Sequence, residues 1–335
     1  MLLRLARAGL LLLAVAATLT GCQEPADDVL VVYSAGPRPL IDQVVASFED
    51  NHDTEVELFA ATTGQVMARL EAERYRPRAD VVVLASRLGA EGLKSQQRLH
   101  RYRPAGIEHT DSNWHDPDGY YHATGGAVVA MAFHDLAPRP LPNWQRALAG
   151  DWPGRLTMPS PSRSGSAADF LIAFNLERAE QAWAQWRSAR VAAGLEFSAA
   201  NNQAITSLTL EAYDGMLAAA DYLIFRQIDR GASLSVHYPD DGSVLVTRPI
   251  AILGSSPQKS RAEAFVDHYF STDMQSAVAD QFLLPARNDV DVSPVRPDSL
   301  PDNLIQADTA EALRRQIPIL RRFQLEIERA QVIAE

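Results

Sequence analysis

The chain has 335 residues, of which 47% are hydrophobic and 22% are charged, and its formal net charge is −11. This length exceeds the requirement of one comfortable hydrophobic core and predicts one large or two medium domains. The acidic balance argues against nucleic acid as a partner and against recognition of a membrane surface by basic patches. The single cysteine, Cys22, excludes an intramolecular disulfide and a cysteine-based metal cluster.

The N-terminal segment has the pattern of a secretion signal. Two arginines precede an apolar run over 9–17, which is too short to span a bilayer and is typical of a signal peptide. The run ends in LTGC (19–22), which resembles the lipobox of bacterial lipoproteins. We therefore expect residues 1–21 to be removed, Cys22 to be lipidated, and residues 22–28 to form a tether. The chain would then lie in the cell envelope, anchored by lipid on its periplasmic or extracellular face.

The next part of the chain alternates strand patterns with helix patterns. VLVVYS (29–34) and ADVVVLAS (79–86) are continuous apolar runs, typical of strands that are buried on both faces of a parallel sheet. EVELF (55–59) predicts a third strand, and a helix-like segment follows each of the three. This alternation predicts an α/β domain with a parallel sheet.

The second half continues the pattern with longer strands. ATGGAVVAMAFH (123–134) predicts a strand, and the segment 155–174 predicts a strand, a loop and a helix. The segment 238–253 contains a tight turn and a long strand, and helices predominate after Ser260. No GxSxG elbow, phosphate-binding loop or HExxH motif occurs, so the sequence predicts neither an enzyme nor a bound cofactor.

Three strand ends are rich in hydroxyl groups and glycine. Ligands of open parallel sheets bind beyond the carboxyl ends of strands, where the following helices begin. A helix start offers free N–H groups and a partial positive charge, which suit an anion, although a threonine there also serves as an ordinary N-cap. Arg163 could hold a phosphate through two parallel hydrogen bonds. The candidate ligand-binding residues at these ends are Ser34, Ala35, Thr62, Thr63, Gly64, Arg163, Ser164, Gly165 and Ser166.

The order of several segments resembles a known family. VVYSAGPRPLIDQVVASFE, ATTGQVMARLEAE, LTMPSPSRSGSAADF and HYPDDGSVLVTRPIAIL follow one another as in the extracellular solute-binding proteins of bacterial ABC importers. The resemblance covers roughly residues 29–290. It is greatest to the subgroup that contains ferric-iron, phosphonate, sugar-phosphate, thiamine and polyamine binders.

The resemblance implies a two-lobed α/β fold, in which each lobe has a mainly parallel sheet flanked by helices. Hinge strands join the lobes, and the ligand lies between them. Residues 29–122 and 244–300 would form lobe 1, residues 123–243 lobe 2, and residues 301–335 a C-terminal helical segment. Asp221 and Tyr222 occupy the place where ferric binders present two adjacent tyrosines, so one phenolate is missing. They would be metal ligands if iron is the cargo, and Asp221 could instead pair with an amine of the ligand.

The expected function is capture of a small solute and its delivery to an ABC permease with its ATPase. The favoured solute is an organic anion such as a phosphonate or a phosphate ester, and ferric iron is the alternative. A two-lobed extracytoplasmic sensor or enzyme is a more distant alternative. The protein is expected to act as a monomer, with membrane contact through the lipid on Cys22.

Overall fold

The computed structural model describes residues 29–138, 141–150, 152–297 and 299–329. The expected signal peptide, the tether and Cys22 lie outside the described residues and stay predictions. Within the described ranges, no helix combines the length and the apolar character needed to cross a membrane.

The first part of the chain forms a three-stranded parallel sheet with helices between its strands. Apolar side chains at 40, 41, 44, 45 and 48 give its first helix a buried face. The elements are β1 (Val29–Ser34), α1 (Arg38–Asn51), β2 (Glu55–Ala60), α2 (Thr63–Ala72), β3 (Val81–Val83) and α3 (Arg87–Ser95). In the sheet β1 lies between β2 and β3, and it is parallel to both.

Two long antiparallel strands form the centre of the sheet. They are β5 (His122–His134) and β10 (Val244–Leu253), and nearly every residue of both is buried. β10 pairs with β3 on one side and with β5 on the other, so it joins the first part of the sheet to the second. Three short strands also pair with these two: β4 (Leu99–His100), β9 (Leu234–His237) and β11 (Leu284–Pro285).

The second part of the chain repeats the arrangement beyond β5. Its sheet strands are β6 (Leu156–Pro159), β7 (Glu196–Ser198) and β8 (Gly215–Ala220), and the complete order is β2-β1-β3-β10-β5-β8-β6-β7. β6 is parallel to both neighbours, whereas β8 is antiparallel to β5. Its helices are α4 (Trp144–Ala149), α5 (Gly165–Arg178), α6 (Glu180–Val191), α7 (Asn201–Thr209) and α8 (Asp221–Asp229).

Three helices complete the described chain, and the last packs against the second part. They are α9 (Lys259–Tyr269), α10 (Thr272–Asp280) and α11 (Thr309–Phe323), and a π-helical turn, Gln324–Glu328, follows α11. The ring of Phe323 lies edge-on to Trp186 of α6, with centroids 5.3 Å apart. Glu328 accepts hydrogen bonds from the hydroxyls of Ser160 and Ser162.

The structure confirms the predicted α/β class and its strand-and-helix order. The strand predicted over 123–134 is β5, and the long strand predicted within 238–253 is β10. The run 79–86 is strand only over Val81–Val83, because Ser86 already caps α3 by accepting a hydrogen bond from the Gly89 N–H. The residue boundaries of the two lobes stay a prediction, and the antiparallel pair β5 and β10 is the expected pair of hinge strands.

Candidate functional site

A cavity of about 500 Å³ lies where five helices begin. Its lining includes residues from the first or second turns of α1, α2, α5, α7 and α8. Arg248 of β10 also lines it. α1, α7 and α8 have no side-chain hydrogen bond at their N-caps, Pro37, Ala200 and Ala220. The first N–H groups of a helix have no partner within the helix, and the helix dipole adds positive potential there. The cavity therefore favours an anion.

Two of the five helices, α2 and α5, do have a side-chain hydrogen bond at the N-cap. The hydroxyl of Thr62 accepts a hydrogen bond from the Gln65 N–H, and the Gln65 side chain accepts one from the Thr62 N–H, which together form a capping box. Thr62 is thus the N-cap of α2. The hydroxyl oxygen of Thr63 accepts a hydrogen bond from the Ala85 N–H at 3.2 Å, and its proton stays available to a ligand in the cavity.

A small polar network forms the opposite wall. The Nδ2 of Asn201 donates to the hydroxyl oxygens of Ser164 and Ser166, each at 3.1 Å. Ser164 also caps α5 by accepting a hydrogen bond from the Ala167 N–H. The Oδ1 of Asn201 is buried and has no hydrogen-bond partner among the described residues. An acceptor left unpaired at a cavity wall is available to a ligand that donates a hydrogen bond.

Four arginines line the cavity, and none of its described lining residues is Asp or Glu. The guanidinium of Arg248 is buried, donates to the carbonyl of Ala35 at 3.0 Å and lies 5.4 Å from the ring centre of Tyr222. The Nε of Arg226 is buried and lacks a hydrogen-bond partner within the described ranges. Arg163 is exposed, and Arg38 forms an ion pair with Asp42.

The structure brings most of the predicted site residues together. Ser34 does not line the cavity, because it is buried and its hydroxyl accepts a hydrogen bond from the Gly36 N–H. Gly64 also lies outside the lining. Those that do line the cavity are Ala35, Thr62, Thr63, Arg163, Ser164, Gly165, Ser166 and Tyr222.

Asp221 is placed away from the cavity, in a buried ion pair. Its carboxylate accepts hydrogen bonds from Arg296 at 2.7 Å, from the Tyr238 hydroxyl at 2.9 Å and from the Val128 N–H at 3.1 Å. Burial raises the pKa of Asp221, and the charge of Arg296 opposes that shift. With these three partners, Asp221 fixes the start of α8 against β5, and the described structure does not present it to a ligand.

Among the lining residues that the sequence reasoning missed, Arg226, Arg248 and Asn201 carry the polar groups discussed above. Arg226 follows Tyr222 by four residues, which places both on one face of α8. Arg248 is the one charged residue of β10, which is otherwise apolar except for Thr247, and a buried arginine in such a strand is itself a signal of a polar site. Asn201 begins α7 shortly after β7, a short strand that the sequence analysis did not predict, and only the folded chain places it beside the Ser164 loop.

Comparison with known proteins identifies the family to which this fold belongs. The model of the family described as "Bacterial extracellular solute-binding protein" matches residues 29–283, which is more than half of the chain. The chain belongs to this family, as the resemblance in its sequence predicted. A curated relative is the probable ABC transporter periplasmic-binding protein y4fP of Sinorhizobium fredii. It is 26% identical over 242 residues, which cover 68% of this chain and 66% of the relative.

Solved structures show the same fold at low sequence identity. AfuA of Actinobacillus pleuropneumoniae, a periplasmic binding protein with exogenous fructose-6-phosphate bound, has a TM-score of 0.82 and 17% identity. The match covers 91% of this chain and all of AfuA. The ferric binding protein of Campylobacter jejuni has a TM-score of 0.77 and 16% identity, and the match covers 88% of this chain and 98% of that protein. The described chain therefore has the two-lobed fold of periplasmic binding proteins.

Proposed function

We propose that this protein is the solute-binding component of an ABC importer and that it captures a small organic anion in the arginine-lined cavity. Delivery to a permease and its ATPase follows from the family and from the likeness to y4fP. The favoured solute carries a phosphate or phosphonate group. Lipidation of Cys22 would hold the protein at the cell envelope while the cavity binds and releases solute.

One observation carries this proposal: three arginines at the cavity lack a carboxylate partner among the described residues. They are Arg163, Arg226 and Arg248. Of the three, Arg248 is buried, and a buried charge without a counter-charge costs free energy that an anionic ligand would offset. Arginine is also the side chain best suited to hold phosphate through two hydrogen bonds.

The unpaired Asn201 carbonyl adds a second requirement. The Nδ2 of Asn201 already donates to Ser164 and Ser166, so its Oδ1 is the atom left without a partner among the described residues. A hydroxyl or an amine on the ligand would satisfy it. The solute class is therefore an anion that also carries a hydrogen-bond donor, such as a sugar phosphate or an aminophosphonate.

Ferric iron is the second candidate, and Tyr222 is the observation that favours it. Tyr222 lines the cavity, and several solved relatives of this fold are ferric binding proteins. A hard ferric centre prefers several anionic oxygen ligands. Among the described residues, however, no group of three or more His, Cys, Asp or Glu side chains gathers where a metal could be held. The donor set of this cavity therefore suits an organic anion better than iron.

The deciding experiment is calorimetric titration with fructose-6-phosphate, 2-aminoethylphosphonate, inorganic phosphate and ferric citrate. A hydrogen bond to a charged group contributes about 1.5–3 kcal/mol, and about 1.4 kcal/mol corresponds to a tenfold change in affinity. Arg226→Gln should therefore weaken binding of an organic anion by about one to two orders of magnitude. Arg230→Gln is the matched control, because Arg230 is exposed on the same helix end and does not line the cavity. It should leave affinity unchanged.

Two results would contradict the proposal. One is a coloured ferric complex that Tyr222→Phe abolishes and Arg226→Gln leaves intact, which would assign iron as the cargo. The other is equal anion affinity in Arg226→Gln, Arg230→Gln and the unmodified chain, which would place binding outside this cavity.

A further inference from the structure

A second cavity of about 690 Å³ lies apart from the arginine-lined one and shares no lining residue with it. Two histidines, His115 and His122, belong to its lining, and both are more than nine-tenths buried. They face each other as a pair in an antiparallel bridge at the start of β5. Side chains opposite each other in such a bridge lie on the same face.

The hydrogen bonds of the two rings fix their tautomers. The Nε2 of His122 lies 2.7 Å from the carbonyl oxygen of Tyr102. A carbonyl only accepts, so this Nε2 carries the ring proton. The Nε2 of His115 contacts the hydroxyl of Thr110, and that hydroxyl donates its one proton to the carbonyl of Ile107. The Nε2 of His115 therefore donates to Thr110 and also carries the proton.

Both Nδ1 atoms are consequently lone-pair acceptors, and both are buried without a hydrogen-bond partner in the described structure. Leaving a buried acceptor unpaired costs free energy, which a bound ion would offset. Histidines that ligate metals have this arrangement, with one ring nitrogen donating to a carbonyl or another acceptor and the other free for the ion. Each ring of the pair thus has the free nitrogen and the paired nitrogen of a metal ligand.

The spacing of the rings also fits a shared ion. With a metal–nitrogen bond of about 2.1 Å and a ring radius of about 1.1 Å, two imidazoles on a tetrahedral ion have centroids about 5 Å apart. The centroids of His115 and His122 are 5.3 Å apart, at an interplanar angle of 52°. The cavity has room for water in the remaining coordination positions.

The charges of the cavity lining nearly balance one another. Its lining contains the arginines Arg101 and Arg103 and the three acids Glu108, Asp116 and Asp118. Lys94 pairs with Asp116 and Asp118, so the lining as a whole is close to neutral. The donor set, two neutral imidazoles, selects divalent transition ions such as Cu²⁺, Ni²⁺ and Zn²⁺ over Mg²⁺ or Ca²⁺.

We propose that His115 and His122 bind one divalent transition-metal ion through their Nδ1 atoms, at a site separate from the solute cavity. The ion would join the segment before β5 to β5 itself. Thr110 is a positioning residue, because its hydroxyl holds the His115 ring in the tautomer that ligation requires.

The test is titration of the full chain with Zn²⁺, followed by calorimetry, in a Cys22→Ser background that removes the one thiol. We expect one ion per chain. His115→Gln and His122→Gln should each weaken binding at least tenfold, and Thr110→Val should weaken it about 10-fold to 100-fold, as loss of a ligand's hydrogen-bond partner does. The control is His237→Gln, because His237 lies elsewhere, with its Nε2 beside the Pro142 carbonyl. Equal affinity in all four variants would show an adventitious ion only and overturn the proposal.

A spectroscopic measurement on the chain without histidine substitutions tests the proposal even if the variants fail to fold. Cu²⁺ bound by the pair should give an electron paramagnetic resonance spectrum with coupling to two imidazole nitrogens. A spectrum without that coupling would overturn the proposal whatever the variants do. Magnesium, which prefers oxygen ligands, should not compete with Zn²⁺.

Discussion

The carboxylate of Asp169 on α5 accepts a hydrogen bond from the hydroxyl of Ser86, with 2.6 Å between the two oxygens. Its other oxygen accepts one from the N–H of Arg87 at 3.1 Å, at the first turn of α3. A carboxylate at a helix N-terminus is stabilised by the helix dipole. This contact joins the helix after β6 to the helix after β3, so it links the two parts of the chain on which the arginine-lined cavity lies.

Burial raises the pKa of Asp169 to about 7, although the hydrogen bonds from Ser86 and Arg87 and the Arg87 charge oppose the shift. An unfolded aspartate titrates near about 4. The stability that protonated Asp169 contributes is therefore fully present below about pH 4 and is lost as the pH rises through about 7. We expect the free energy of unfolding of Asp169→Asn, which cannot ionise, to fall less between pH 5 and pH 8 than that of the unmodified chain.

Urea unfolding at the two pH values measures this difference. Asp280→Asn is the control, because Asp280 is exposed on α10 and should keep the pH dependence of the unmodified chain. The same pH dependence in Asp169→Asn and in the unmodified chain would contradict the prediction.

Gly165 marks the closest approach of α5 to the first part of the chain. A Cβ at this position would lie 2.8 Å from the Ala85 carbonyl oxygen and 2.9 Å from the Thr63 hydroxyl oxygen. The added methyl group of Gly165→Ala should therefore push the start of α5 away from Ala85 and Thr63. This would hold the two walls of the cavity apart. We expect weaker binding of an organic anion and a larger radius of gyration in solution scattering with ligand present.

The matched control is Gly92→Ala, because a Cβ at Gly92 meets nothing within 4 Å in the described structure. Gly92 lies within α3, where alanine is favoured over glycine by about 1 kcal/mol, so that variant should keep its size and gain stability. A Gly165→Ala protein with unchanged affinity and radius of gyration would show that the close approach is not needed for binding.

The expected lipid on Cys22 predicts that the protein is anchored to a membrane. Cys22→Ala should move the protein from the membrane fraction to the soluble fraction or leave it unprocessed, because the lipid would be the only anchor that the sequence predicts. Fractionation with and without detergent, followed by mass spectrometry of the N-terminal peptide, measures both. Membrane association of Cys22→Ala that still requires detergent for release would rule out the lipid anchor.

The sequence predicted the strand ends but not the arginines between them. Continuous apolar runs such as 29–34 identify buried strands, and the parallel arrangement then places Ala35 and Thr63 at one edge of the sheet. Arg248 could not be added by that argument, because its strand reaches the cavity only through pairing with residues more than 100 positions away. Pairings at such distance depend on the whole fold rather than on local pattern.

Asp221 is a second residue whose role local sequence pattern does not reveal. The resemblance to ferric binders made Asp221 a ligand candidate, because it stands where those proteins present one of two adjacent tyrosines. Its partner Arg296 lies 75 residues further along the chain, in a segment without regular structure. Nothing local to either residue indicates the pair, so the structural role of Asp221 becomes visible only in the folded chain.

The buried pair of Asp221 and Arg296 gives the last prediction. Arg296 also donates to the carbonyl of Phe282, and both charged side chains are almost completely buried. Removal of one partner from a buried pair leaves an uncompensated charge and costs about 3–5 kcal/mol. Arg296→Ala should therefore lower the free energy of unfolding by that amount at pH 7. The loss should shrink at lower pH, because the pKa of Asp221 is already raised and the neutral acid needs no counter-charge.

Urea unfolding of three variants tests the argument. The double variant Asp221→Asn with Arg296→Met should recover much of the stability, because replacing both charges avoids the unpaired ion. Arg314→Ala should change stability little, since Arg314 and its partner Glu311 pair at the surface. If Arg296→Ala were as stable as Arg314→Ala, or if the double variant were less stable than Arg296→Ala, the pair would not hold α8 against β5 in the way described.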